Sequence, residues 1–160
     1  MTPSGGSRVC ELASPAEPLR RGARAFPSLP PVVMLTYDAT TEAVTVRVRP
    51  VYLDAKSSPI TGRFVFAYFV TVANDSPYEV QLLRRRWRIE DASGTVQNVE
   101  GEGVIGRQPV IPPGGRHEYH SFCVLPTFTG TMEGDYLLQR EDGARFRAEI
   151  PRFHLAAGTN

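Results

Sequence analysis

The sequence predicts an all-β fold in which two sheets pack face to face, and three observations carry the prediction. Beyond Thr36, apolar residues recur at every second position, the signature of strands with one buried face. Clusters of Gly, Pro, Asn, Asp and Ser separate these runs at short intervals, as in domains built from many short strands. No segment sustains a helical apolar period over three turns, because proline or glycine interrupts almost every stretch that could.

Taken in order, residues 1–35 mix Ser, Gly, Pro and Arg with few large apolar groups. Such a segment buries too little to offset an ordering entropy of about 1–2 kcal/mol per residue. A disordered N-terminal extension is therefore expected, followed by one domain over residues 36–157. Arg20, Arg21 and Arg24 resemble a transit peptide, but Glu11, Glu17 and the four prolines between Pro3 and Pro27 oppose the amphipathic helix it would need. The first strand holds Val44, Val46 and Val48, alternating with Thr45, Arg47 and Arg49. Phe64 to Val72 is apolar on both faces, so this strand is covered twice or sits at an interface. Asn74-Asp75-Ser76-Pro77 turns the chain into a strand from Val80 to Glu90, whose inward set by parity is Leu83, Arg85, Trp87 and Ile89. Asp91-Ala92-Ser93-Gly94 closes a hairpin onto Thr95–Glu100. Arg116–Leu125 alternates again, and Thr131–Gln139 pairs through Glu141-Asp142-Gly143 with Arg145–Ile150. About seven strands result, which is a β-sandwich of immunoglobulin or fibronectin type III kind. Trp87 and Tyr136 resemble the core tryptophan and corner tyrosine of such sandwiches and read as structural support.

Net charge is +1, so no broad field recruits nucleic acid or an anionic membrane. Neither partner is expected. No apolar run approaches the ~20 residues of a membrane span, and the N-terminus carries no secretory h-region. Cys10 and Cys123 are the only cysteines and form no disulfide framework; a soluble, cytoplasmic protein fits. Lys56 is the lone lysine among 18 basic residues, a bias that reads as codon usage.

Gly101, Gly103 and Gly106 spell the spacing of a dinucleotide-binding loop. That motif requires a helix N-terminus to hold the pyrophosphate, whereas here Gln108-Pro109-Val110-Ile111-Pro112-Pro113 follows and prolines bar a helix. The glycines are expected to serve tight turning. A lesser role stays open, in which Gly101, Glu102, Gly103, Gly106 and Arg107 form a partner-binding loop that also holds phosphate or pyrophosphate weakly through backbone amides. Arg85, on the inward face, needs an acidic partner or a bulge that turns it outward; Glu102 or Glu100 is expected as the partner, bracing the loop. His117 and His120, three apart on a strand, point to opposite faces and share no ion. Ser121 diverges from His120 and lies in no nucleophile elbow. No metal, cofactor or catalytic residue is expected. Arg84, Arg86 and Arg88 form an outward stripe that reads as a solvated face.

The chain resembles the ApaG domain proteins over Ala43–Leu155. The resemblance rests on Val44-Thr45-Val46-Arg47-Val48, Gly62-Arg63-Phe64-Val65-Phe66-Ala67-Tyr68, and Gln81-Leu82-Leu83 with Arg85 and Trp87. It continues in Val99-Glu100-Gly101-Glu102-Gly103-Val104-Ile105-Gly106 with Gln108-Pro109, Gly130-Thr131-Met132-Glu133-Gly134-Asp135-Tyr136, and Ile150-Pro151 with Phe153 and Leu155. It implies a fibronectin-like sandwich without established catalysis, a bacterial association with cobalt resistance and magnesium efflux, and use as a protein-interaction module. Phe69 and Phe122 stand where the resemblance implies smaller or more polar residues, which points either to a homodimer or to a loop that covers them. The sequence thus reads as a non-catalytic binding module for a protein partner, the alternative being an enzyme acting on a small phosphorylated metabolite at the glycine loop.

Overall fold

The computed structural model describes residues 35–158. Its strands are β1 (Tyr37–Thr41), β2 (Val44–Tyr52), β3 (Phe64–Asn74), β4 (Val80–Asp91), β5 (Val96–Glu102), β6 (Val110–Ile111), β7 (Arg116–Leu125), β8 (Thr129–Arg140) and β9 (Arg145–Ala156). One antiparallel sheet runs β1-β2-β3-β7; the other runs β5-β4-β8-β9, with β6 beside the start of β4. The two sheets make the expected sandwich. The N-terminal extension read from the sequence lies outside the described residues, apart from Leu35.

The period-two pattern decides which faces meet. Val44, Val46 and Val48 are fully buried, as are Val72, Leu82, Met132, Tyr136, Leu138 and Phe153. Strand β3 is covered twice, but only over its first half. Phe64, Phe66 and Tyr68 face the core, while Val65 and Ala67 are buried beneath the segment 53–63 and its two short 3-10 turns. That flap is pinned by the amide of Leu53 donating to Val65 O and the amide of Val65 donating to Ser57 Oγ. Beyond the flap, Phe69 is left 39% exposed.

Three details depart from the sequence reading. Strands β1 and β6 exist in addition to those expected, both too short to carry a local pattern. In β4 the register against β8 shifts between Leu82 and Arg84, so Leu83 is the extra residue of a β-bulge. Val80 and Leu82 point inward before it, and Arg85, Trp87 and Ile89 after it. Leu83 therefore leaves the inward set, because a bulge reverses parity. Tyr136 sits within β8, its hydroxyl against that of Tyr119 from the opposite sheet, so it bridges the sheets rather than tying a corner to backbone.

The sandwich has one closed and one open side. Strand β1 packs against β9, where the amide of Glu149 donates to Thr41 Oγ1 at 3.1 Å. On the other side, β7 and β5 are the edge strands of their sheets.

Candidate functional site

The run from Gly101 to Arg107 is a short hairpin on the open side, and each glycine has its own steric reason. Gly101 belongs to β5, opposite Arg85 of β4; a Cβ there would lie 2.8 Å from Arg85 Nη2. Gly103 has φ of 60°, and a Cβ would lie 2.0 Å from Arg107 O. Gly106, at φ of 69°, is the second central residue of a two-residue turn closed by the amide of Val104 to Arg107 O at 2.8 Å and the amide of Arg107 to Val104 O at 3.1 Å. No helix follows it.

The hairpin is anchored by the bulge behind it. Leu83 O accepts from the amide of Gly103 at 2.8 Å and from Gln108 Nε2 at 3.0 Å, while the amide of Leu82 donates to Pro109 O at 3.0 Å. Arg85, 8% exposed, donates through Nη1 to Glu102 O at 3.0 Å and to Gly103 O at 2.8 Å. The expected carboxylate partner is thus corrected: two peptide carbonyls receive the guanidinium, and the acidic groups of Glu100 and Glu102 pair with no basic side chain among the described residues. A charge-assisted bond to a carbonyl is still among the stronger ones, so the bracing is retained with different chemistry.

These bonds use up donors. The amides of Gly103, Val104 and Arg107 are committed, which leaves at the tip only those of Ile105 and Gly106 without a hydrogen-bond partner among the described residues. The side chains of Glu102 and Arg107 are exposed and Ile105 is half-buried. Ile105 breaks a conformational rule. Its φ is 47°, in the left-handed region, where an L-residue pays about 1–2 kcal/mol and a β-branched one is an outlier. Glu42 and Ala43, the other non-glycine residues at positive φ among those described, are unbranched. Sequence reading missed Ile105; the available signal was the Ile-Gly pair in a position where hairpin turns favour Asn-Gly.

Next to the hairpin, His117 is held below the usual imidazole range by burial and then by the charge of Arg107. Tyr119 and Tyr136 are pushed well above the phenol range, chiefly by burial, so the pair stays protonated. Ser121 is buried and faces the core, whereas His120 lies on the outer face between the rings of Phe69 and Phe122. Those two residues cannot act together. Trp87 packs against Tyr68, Tyr136 and Phe153, a core role. On the outer face, Arg86 pairs with Asp135, and Arg88 with Glu90 and Glu133, which neutralises most of the arginine stripe. Among the described residues, no three His, Cys, Asp or Glu side chains converge as metal ligands, and no helix is long and apolar enough to cross a membrane.

With this geometry in place, comparison with known proteins is informative. The family model described as the ApaG domain matches residues 54–140. The chain is 48% identical over 119 residues to Protein ApaG of Brucella abortus (strain S19), covering 74% of this chain and 92% of that protein. It is 50% identical over 119 residues to Protein ApaG of Paramagnetospirillum magneticum, with the same coverage. A crystal structure from Bordetella pertussis, named for ApaA, superposes with a TM-score of 0.71 at 41% identity, covering 73% of this chain and 95% of that one.

Proposed function

Because the chain belongs to the ApaG domain family, we propose that it is a non-catalytic module that binds a protein partner through the hairpin of Gly101, Glu102, Gly103, Ile105, Gly106 and Arg107. The observation that carries this reading is the strain at Ile105. A β-branched residue held at positive φ persists only where its surroundings enforce it, and such outliers cluster where a surface is kept ready for a ligand. Here the enforcement comes from behind, through the Leu83 bulge, Gln108 and the Arg85 guanidinium. The tip presents an apolar side chain next to the Arg107 charge, a pairing suited to a protein surface. A phosphate would find only two adjacent amides and Arg107, and the neighbouring His117 is partly buried and held below the usual imidazole range, which supports the module over an enzyme acting on a phosphorylated metabolite.

Replacing Ile105 with Asn separates strain from structure. Asn-Gly is the favoured pair for this turn, so Ile105→Asn should raise the melting temperature by about 3–5 °C, in line with relief of about 1 kcal/mol. The same variant should lose the proteins that the wild-type chain captures from its own cells. A stabilised variant that captures the same set would refute the reading.

A further inference from the structure

The open side of the sandwich exposes a strand edge whose chemistry is complementary to itself. Strand β7 ends the order of its sheet and pairs with β3 through ten consecutive positions without a register shift. Its other edge makes no backbone bond to any described residue. Exposed edges are usually blunted by shortness, proline, lysine or a bulge. The neighbouring edges show such devices: β1 has five residues and lies against β9, and β5 carries Gly101 with exposed Glu100 and Glu102. Strand β7 has ten residues with no glycine, proline, lysine or bulge, and its exposed charges, Arg116 and Glu118, are of opposite sign. Its outward row reads Arg116, Glu118, His120 and Phe122, and among the described residues Arg116, Glu118 and His120 form no ion pair.

We propose that β7 pairs antiparallel with β7 of a second copy of this chain, about a two-fold axis at Tyr119, joining two four-stranded sheets into one. In that register Glu118 faces the partner's His120 and Arg116 faces the partner's Phe122, each contact occurring twice by symmetry. A carboxylate accepting from an imidazole N–H and a cation over a ring are both favourable pairs across strands. On the inner face His117 meets the partner's Ser121. Moving the axis to Glu118 sets that carboxylate against the partner's Glu118 and Arg116 against the partner's His120. Moving it to His120 sets that ring against the partner's His120 and leaves Glu118 against the partner's Phe122. An odd shift would put outward residues beside inward ones. Centring on His117 pairs Arg116 with the partner's Glu118 but keeps only residues 116–118 of β7 in the pairing, and centring on Ser121 sets Glu118 against the partner's Val124. The Tyr119 register is therefore the one that gives Glu118 a polar partner along a longer stretch of strand. The adjoining outer face extends the contact, since Lys56 already lies 5.1 Å from the Phe122 ring and Arg49 lies 4.4 Å from that of Phe69.

The test is sedimentation equilibrium of the full chain. Wild type should show a concentration-dependent dimer, and Glu118→Arg should weaken it about tenfold or more, because the carboxylate that accepts from the partner's His120 is lost twice by symmetry. Glu118→Arg combined with His120→Glu sets opposite charges face to face and should restore the dimer. Thermal melting checks that the exposed substitution leaves the fold intact. A chain still monomeric at about 1 mM, a dimer indifferent to Glu118→Arg, or a swap that fails to restore association would each overturn the proposal. The proposal stands apart from the hairpin reading, since Ile105→Asn should leave the dimer unchanged.

Discussion

Gly103 and Gly106 both sit at positive φ, yet their surroundings make them unequal. At Gly106 nothing lies within 4 Å of a built Cβ, so alanine meets only the backbone penalty of the left-handed region, about 1–2 kcal/mol. At Gly103 the same penalty is joined by a clash with Arg107 O at 2.0 Å, an atom fixed by its bond to the amide of Val104. Backbone cannot step aside as a flexible side chain would. Gly106→Ala should therefore lower unfolding free energy by about 1 kcal/mol and Gly103→Ala by about 3 kcal/mol or more, as measured by denaturant titration. Equal losses at the two positions would show that the hairpin relaxes around the intruding methyl. The motif is accordingly a record of steric demands, one glycine giving way to Arg85 and two to the backbone of the turn, and this ordering of costs is what distinguishes it from a phosphate loop, where a helix start sets the demand.

Strand β4 joins the core to the hairpin, and its two halves do so by different means. Before the bulge it buries Val80 and Leu82; after it, Arg85 and Trp87. The bulge turns Leu83 O toward Gly103 and Gln108, and Arg85 reaches Glu102 O and Gly103 O, so the end of β5 is held from two sides. Arg85→Met keeps apolar length but leaves two carbonyls without their donor. The loss should be about 1–3 kcal/mol, and amide hydrogen exchange should quicken over residues 99–107 while β8 and β3 keep their protection. A loss of protection spread evenly over both sheets would show instead that Arg85 supports the core as a whole. The alternating faces of β2, β3 and β7 were legible because period two is a local property of the chain, written in Val44-Val46-Val48 and in Phe64-Phe66-Tyr68. The Leu83 bulge was not legible, since what claims its carbonyl lies twenty residues and more along the chain. Nor was the partner of Arg85, because backbone oxygens carry no residue code, and side-chain reasoning naturally sought Glu100 or Glu102. The glycine spacing was read correctly as lacking its helix, because proline exclusion is also local.

At the scale of the whole molecule, the sandwich is bound along one side and open along the other. The closed side joins β1 to β9 directly. The open side relies on what its edge strands bury, and β7 contributes Ser121, Cys123 and Leu125 to the interior, with Tyr119 reaching Tyr136 of the other sheet. Cys123 is fully buried in the same cluster as Phe66 and Trp87. If β7 could peel away alone, it would uncover one flank of that cluster and break the contact between the tyrosines. Opening at Cys123 should therefore coincide with global unfolding. In a Cys10→Ser background, at a concentration where the chain is monomeric, the free energy for thiol labelling of Cys123 should match that from equilibrium denaturation, and its denaturant dependence should match the equilibrium m-value. Labelling with a markedly lower free energy and a flatter denaturant dependence would mean that β7 detaches on its own, and that the single core spanning both sheets is in fact two separable layers on the open side.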